Sequence, residues 1–256
     1  MSKKESVSSK MSNSIDASEE LLEICSLSLL ESSTDESCVV KRNMDSKIVC
    51  NAAPFKCPLS NCKELVGITS VLAHFIINHQ QSDENVGFQM VLQDEKICML
   101  VMMEEYIQFE KNICFGVLAY QTNQLLTHFN TLLPQFQRHY ENHLPILIMG
   151  CRISNARIEN SELETNLPKD SDNIIIWLLT TEIFDEIFVT VTVYNDEEDK
   201  SISKQMRLRS IRDIQDPYQF IQHDVDYLRL KVNLVKDMTV ESGSIKIEVC
   251  INEHFF

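Results

Sequence analysis

The chain has 256 residues, of which 23 are basic and 38 acidic, for a formal net charge of −15, and 44% of it is hydrophobic. That is enough apolar material for a real core, so the whole chain is not disordered. Five glycines are too few for a phosphate-cradling or dinucleotide-binding loop, and the acidity opposes a large nucleic-acid footprint.

No stretch approaches the ~18 consecutive apolar residues of a membrane-spanning helix. The opening MSKKESVSSKMSNS lacks the apolar core of a secretory signal. The nine cysteines are therefore read as thiols or metal ligands in a reducing compartment, which implies an intracellular protein of the cytoplasm or nucleus.

Residues 1–50 hold thirteen serines and nine acidic residues, with no glycine or proline. A segment of this kind buries too little apolar surface to offset the entropy of ordering, so a disordered tail is expected. Within it, Leu21 to Leu30 is an apolar run preceded by Asp16 and Glu19 at capping spacing, read as a frayed amphipathic turn. The composition changes at residues 54–80, PFKCPLSNCKELVGITSVLAHFIINHQ. Cys57-Pro58 and Gly67 supply turn chemistry, and Thr69 or Ser70 can cap a short helix running to about His79.

From 86 to 253 the pattern is that of strands. Ile187, Val189, Val191 and Val193 alternate with Thr190 and Thr192. Leu228, Leu230 and Val232 alternate with Arg229 and Lys231, and Ile245, Ile247, Val249 and Ile251 with Lys246 and Glu248. Further strands are expected near 88–92, 96–103, 112–120, 146–153, 174–179 and 202–209. The run Ile174 to Leu179 suggests a strand covered on both faces. Eight or nine short strands without intervening amphipathic helices predict a mainly β protein, an antiparallel sandwich preceded by a small finger. Residues 123–144 read as a partly helical insertion, and Asp216-Pro217 as the start of a short helix. Asp196 to Asp199 reads as a solvated hairpin loop.

One constellation carries chemistry. Cys57, Cys62, His74 and His79 form C-x4-C-x11-H-x4-H, with the two histidines on one face of a helix. Two thiolates from a knuckle and two imidazoles can close a tetrahedron around Zn2+. All four ligands come from protein, which makes the expected ion structural, one per chain. The finger's own core is small (Phe55, Leu65 and Leu72), so metal binding would supply its folding free energy. Its helix contains no Lys or Arg, and Phe75, Ile76 and Ile77 form a greasy face better suited to docking on the sandwich than to reading DNA.

A finger of this spacing leading directly into a β-sandwich resembles the C-terminal half of seven-in-absentia (Siah-type) proteins, whose second finger precedes a TRAF-like domain. Val101-Met102-Met103, Cys114-Phe115-Gly116 and the closing Gly243 to Val249 add to the resemblance, which covers about residues 54–251. The chain is also similar to an uncharacterised insect family of a domain of unknown function related to those proteins. The resemblance implies a TRAF-like sandwich, a homodimer through it, a protein or peptide partner, and a role as substrate-recognition adaptor in ubiquitin transfer. It places Leu100 and Met102 at a peptide groove, with Leu100 where that family carries tryptophan. The RING ligands and the first finger of that family are missing, so direct recruitment of a ubiquitin-conjugating enzyme is not expected.

Two rival readings come from other classes. His128, His139 and His143 are candidate ligands of a hydrolytic metal site, although Arg138 to His143 does not reproduce the H-E-x-x-H order. The finger could instead bind nucleic acid, against the acidic balance. Cys151 after Gly150 is read as a buried strand thiol rather than a nucleophile, and Trp177 as a core anchor. No catalytic motif is found, and the expectation is a non-enzymatic protein with neither a nucleic-acid nor a membrane partner.

Overall fold

The computed structural model describes residues 53–79, 87–102, 107–132, 139–158, 171–195, 197–239 and 244–253. The Ser-rich segment 1–50, its Leu21–Leu30 run included, lies outside these residues.

Alternation of apolar and polar residues drives most of the segments that carry it into strands. After a two-stranded ribbon, β1 (Phe55–Lys56) and β2 (Leu65–Val66), comes one helix, α1 (Val71–Asn78). The strands follow: β3 (Gly87–Val91), β4 (Lys96–Met102), β5 (Ile113–Tyr120), β6 (Leu144–Ile153), β7 (Asn173–Thr180), β8 (Ile187–Tyr194), β9 (Ser201–Arg207) and β10 (Arg209–Ser210). A short helix α2 (Asn155–Ile158) follows β6. The chain ends with α3 (Pro217–Phe220), β11 (Leu228–Lys231), α4 (Val232–Met238) and β12 (Ser244–Glu253). As expected, Asp216 caps α3, its carboxylate accepting the Tyr218 N–H at 3.0 Å with Pro217 in the first turn.

The protein is mainly β, with two larger sheets. The first runs β10-β7-β6-β5-β3, with β11 pairing beside β10 on the same edge of β7; the second runs β4-β12-β8-β9. Two pairings in the first sheet are parallel, β3 with β5 and β10 with β7, where a purely antiparallel sandwich was expected. The cause is strand exchange between sheets. β4 lies in the second sheet, so β3 and β5 leave and re-enter the first sheet running the same way. β9 and β10 are nearly one strand that changes sheet at Leu208. Val232, expected to extend β11, instead opens α4 and remains buried.

The sheets face each other over one core, to which β6 and β7 contribute Ile146, Ile148, Ile174, Ile176 and Leu178, and β8 and β12 contribute Val189, Val191, Ile247 and Val249. The opposite faces of β6 and β7 carry Leu147, Met149, Ile175, Trp177 and Leu179, which are buried in a second core. This explains why β7 is apolar from Ile174 to Leu179: both of its faces are covered. β5 serves both cores through a bulge between Cys114 and Gly116, which puts Cys114 on the same face as Val117 and Ala119.

The second core is covered by the finger together with Ile211 and Phe220. Leu59, Val66, Ile68, Val71, Leu72 and Phe75 enter it directly, and Ile76 packs at its margin. The greasy face of α1 therefore docks on the sandwich. Leu65, expected in the finger core, is instead exposed at 71%. Phe55 pairs with Val66, and strand alternation lets only one of Leu65 and Val66 point inward.

Residues 123–132 of the expected insertion are irregular, and the helical conformation at His139–Tyr140 gives way to a turn at Glu141 and Asn142. Asp199 and its neighbours lie between the paired strands β8 and β9, where the Asn195 side chain accepts the Lys200 N–H at 3.0 Å. Glu198 has φ 57° in this loop. Among the described residues no helix is long and apolar enough to cross a membrane.

Candidate metal centre

The knuckle is built by backbone before any side chain is placed. The Cys57 N–H donates to the Glu64 carbonyl at 3.0 Å and the Cys62 N–H to the Leu59 carbonyl at 3.1 Å, which folds both cysteines toward one point. A 3-10 turn at Ile68–Ser70 then leads into α1. Ser70 occupies the N-cap position without a side-chain capping bond, so the expected cap is positional only. His74 and His79 sit at the middle and the end of the helix, and the His79 N–H still donates to the Phe75 carbonyl at 3.1 Å.

The four predicted ligands converge. One ligand atom from each of Cys57, Cys62, His74 and His79 lies within 4.8 Å of all the others. The two Nε2 atoms are 3.1 Å apart, Cys57 Sγ lies 3.6 Å from His79 Nε2, and Cys62 Sγ lies 3.7 Å from His74 Nε2. A tetrahedron with bonds of about 2.0–2.1 Å to nitrogen and 2.3 Å to sulfur separates its corners by about 3.3–3.8 Å. The observed spacing therefore fits an ion of that size. Cys57, His74 and His79 are buried and Cys62 is half-buried.

A carboxylate stands behind one of the imidazoles. His74 Nδ1 lies 3.2 Å from Glu64 Oε2, which also accepts from Asn78 Nδ2 at 2.7 Å. The Asn78 Nδ2 also lies 3.2 Å from this Nδ1; with the Nδ1 proton directed at the Glu64 carboxylate, the lone pair of Nε2 faces the cluster. This is the carboxylate–histidine arrangement that orients metal ligands. Burial first, then the nearby His79, holds the His74 pKa below its usual value, which favours the neutral ligating form; Glu64 opposes this. Burial pushes the Cys57 thiol up to about 12, the Leu59 N–H opposes it, and Cys62 and Glu64 add to it. A cation among the four atoms would reverse that balance and stabilise the thiolate. The sequence reading did not single out Glu64 or Asn78. Asn78 could have been found, since it lies four residues after His74 on the same helix face.

The span 56–241 matches the family model of a domain of unknown function, DUF4729, over well over half of the chain. The chain belongs to this family. The matched span runs from the finger to just past the end of α4, with β12 beyond it, and no curated protein matches the chain. Within the DUF4729 span, the Cys/His cluster is the one group among the described residues able to hold a metal ion.

The other predicted residues are distributed differently. His128, His139 and His143 do not form a cluster. His128 Nδ1 lies 2.7 Å from Thr127 Oγ1 and 4.0 Å from Glu182, and His139 is exposed. Helical conformation ends at Tyr140, so the four-residue spacing of His139 and His143 no longer puts them on one face. His143 is buried against the Tyr140 ring, and neither of its ring nitrogens has a hydrogen-bond partner. Leu100 and Met102 stand on β4 opposite Lys246 and Ser244 of β12. Cys151 is buried, and desolvation raises its thiol to about 12, a core residue rather than a nucleophile. Trp177 is fully buried and donates from Nε1 to Gln215 Oε1 at 3.1 Å.

Proposed function

We propose that the chain is a non-catalytic protein-interaction module in which Cys57, Cys62, His74 and His79 hold one structural zinc. The observation that carries this reading is the convergence of two sulfurs and two Nε2 atoms at tetrahedral spacing. With four protein ligands the ion has no open position for water or substrate, which is the pattern of a structural site. The finger helix supports binding of protein rather than of nucleic acid. It carries no Lys or Arg, and Val71, Leu72 and Phe75 face the sheet.

The resemblance to Siah-type proteins suggests a TRAF-like sandwich in a reducing compartment, a homodimer and a role as a substrate adaptor in ubiquitin transfer. β4 supports a peptide-binding edge. It ends its sheet, with β12 on one side and, among the described residues, no strand on the other. An extended partner could add there as a further strand, with Leu100 and Met102 along it.

Elemental analysis of the purified full chain tests the zinc assignment. One zinc per chain is expected, and Cys62→Ser and His74→Ala should each lose it and lose amide protection over 55–79 while β8 and β12 keep theirs. A chain that purifies without metal, or a variant finger that stays protected, overturns the assignment. Mass spectrometry of co-purifying proteins tests the adaptor role, which fails if no ubiquitin-pathway component is recovered.

A further inference from the structure

The seam between the finger knuckle and the sheets is not closed. Two adjoining cavities, of about 290 and 340 Å3, share Ser60, Asn112 and Gln215. Their charged residues are used in different ways. In the smaller cavity Arg157 bonds Glu110 at 3.2 Å and lies over the Tyr218 ring at 4.2 Å. The Tyr218 hydroxyl donates to the same Glu110 oxygen at 2.8 Å, and Asp216 is engaged as the cap of α3. Those groups satisfy one another.

The larger cavity is different. Lys56 reaches it from β1 of the finger and Arg212 from the turn after β10 of the sandwich. Among the described residues neither side chain has an ion-pair or hydrogen-bond partner. Asp213 lines the same cavity, but its carboxylate also acts on Arg209 behind it. Ser60 Oγ accepts the Asn112 N–H at 2.8 Å, which leaves its hydroxyl proton free to donate. Both side chains are exposed, and two cations without a counter-charge beside one cavity make it a favourable place for an anion despite the chain's net charge of −15. At about 340 Å3 the space exceeds a small ion, and the adjoining cavity offers a path for flanking residues.

We propose that this cavity takes an anionic side chain, carboxylate or phosphorylated, of a bound polypeptide, with Lys56, Arg212 and the Ser60 hydroxyl as its contacts. The proposal deepens the protein-interaction reading and rests on it. The site is shared between finger and sandwich, so it exists only while the finger is docked.

The test uses the full chain, labelled with 15N, and blocked peptides Gly-Ser-X-Ser-Gly in which X is serine, glutamate or phosphoserine. Amide shifts over 56–60 and 211–213 are expected with the glutamate or the phosphoserine peptide and not with the serine peptide. A response to phosphoserine alone assigns a phosphorylated partner, and a response to both assigns a carboxylate-tolerant site. Lys56→Gln and Arg212→Gln should each weaken binding at least tenfold, with unchanged β8 and β12 resonances showing that the variants are folded. Equal response to all three peptides, no response to any, or unaltered affinity in both variants overturns the proposal. Inorganic phosphate binding as tightly as the phosphoserine peptide removes the polypeptide from it. A chain that ignores every peptide yet still captures a protein partner loses this cavity and keeps the module reading; one that captures none loses the module reading itself.

Discussion

Glu64 is the residue through which the metal assignment is best tested, because it touches no metal and its removal leaves all four ligands in place. Its carboxylate accepts from His74 Nδ1 at 3.2 Å and from Asn78 Nδ2 at 2.7 Å, which fixes both the tautomer and the ring plane of His74. Loss of such an outer partner typically costs 10–100-fold in metal affinity. The Glu64 side chain is 61% exposed, and water can replace part of the bond, so the lower end applies. Glu64→Ala should therefore weaken zinc binding about tenfold, equivalent to about 1.4 kcal/mol. Glu64→Gln keeps an acceptor without the charge and should lose less. Competition against a chromophoric chelator, with cobalt as a spectroscopic stand-in, reads both affinities and the tetrahedral geometry. If Glu64→Ala binds zinc as tightly as the parent chain, His74 is not held by this carboxylate, and the argument for a pre-oriented site fails.

Three further predictions concern how the fold is held. A Cβ at Gly150 would sit 2.3 Å from Phe115 Cζ, so Gly150→Ala should lose about 1–3 kcal/mol through overpacking, measured by urea denaturation, and less in a Phe115→Leu background. Asn112 donates from Nδ2 to the Pro58 and Gln215 carbonyls and its backbone bonds Ser60, so Asn112→Ala should cost about 1–2 kcal/mol and speed amide exchange over 57–62 ahead of β12. Burial lowers the His143 pKa below 6.5, so the unfolded chain binds its proton first as the pH falls. The stability of the parent relative to His143→Leu should then be constant above about pH 6.5 and decline below it by up to ~1.4 kcal/mol per pH unit; parallel curves from pH 7 to 5 would show that the ring is solvated.

Strands were legible because period-2 alternation depends on local sequence alone. Ile187–Tyr194 and Ser244–Glu253 could be placed within a residue or two on that basis. The metal cluster was legible for the same kind of reason: ligand type and spacing carry it, and neither needs a tertiary contact. What could not be read depends on partners distant in sequence. The parallel pairing of β3 with β5 follows from β4 crossing to the other sheet, which no local pattern encodes. Leu65 and Val66 are equally apolar, and only the register against Phe55 decides which of them is buried. Glu64 reads as an ordinary surface acid until α1 brings His74 beside it. The spacing of His139 and His143, which suggested only a rival reading, has meaning on a continuous helix alone, and helical conformation ends at Tyr140.

The candidate metal site and the sandwich are energetically coupled without unfolding together, and the second core is the reason. Trp177, Ile175, Leu147 and Met149 form the outward face of β6 and β7, which is buried in the second core by residues of the finger together with Ile211 and Phe220 of the sandwich. Leu72 and Phe75 stay in that core only while α1 is held in place, and the middle and C-terminal end of that helix would be secured through His74 and His79 rather than by side-chain caps. Burying two such side chains contributes about 1.5–3 kcal/mol each, more than eight residues of helix without capping bonds can secure alone. An ion gripped by the four ligands would then do two things at once: close the finger and shield the sandwich's outer face. Docking in turn would tighten the ion, because any energy gained when α1 packs on β5 adds to the energy of binding.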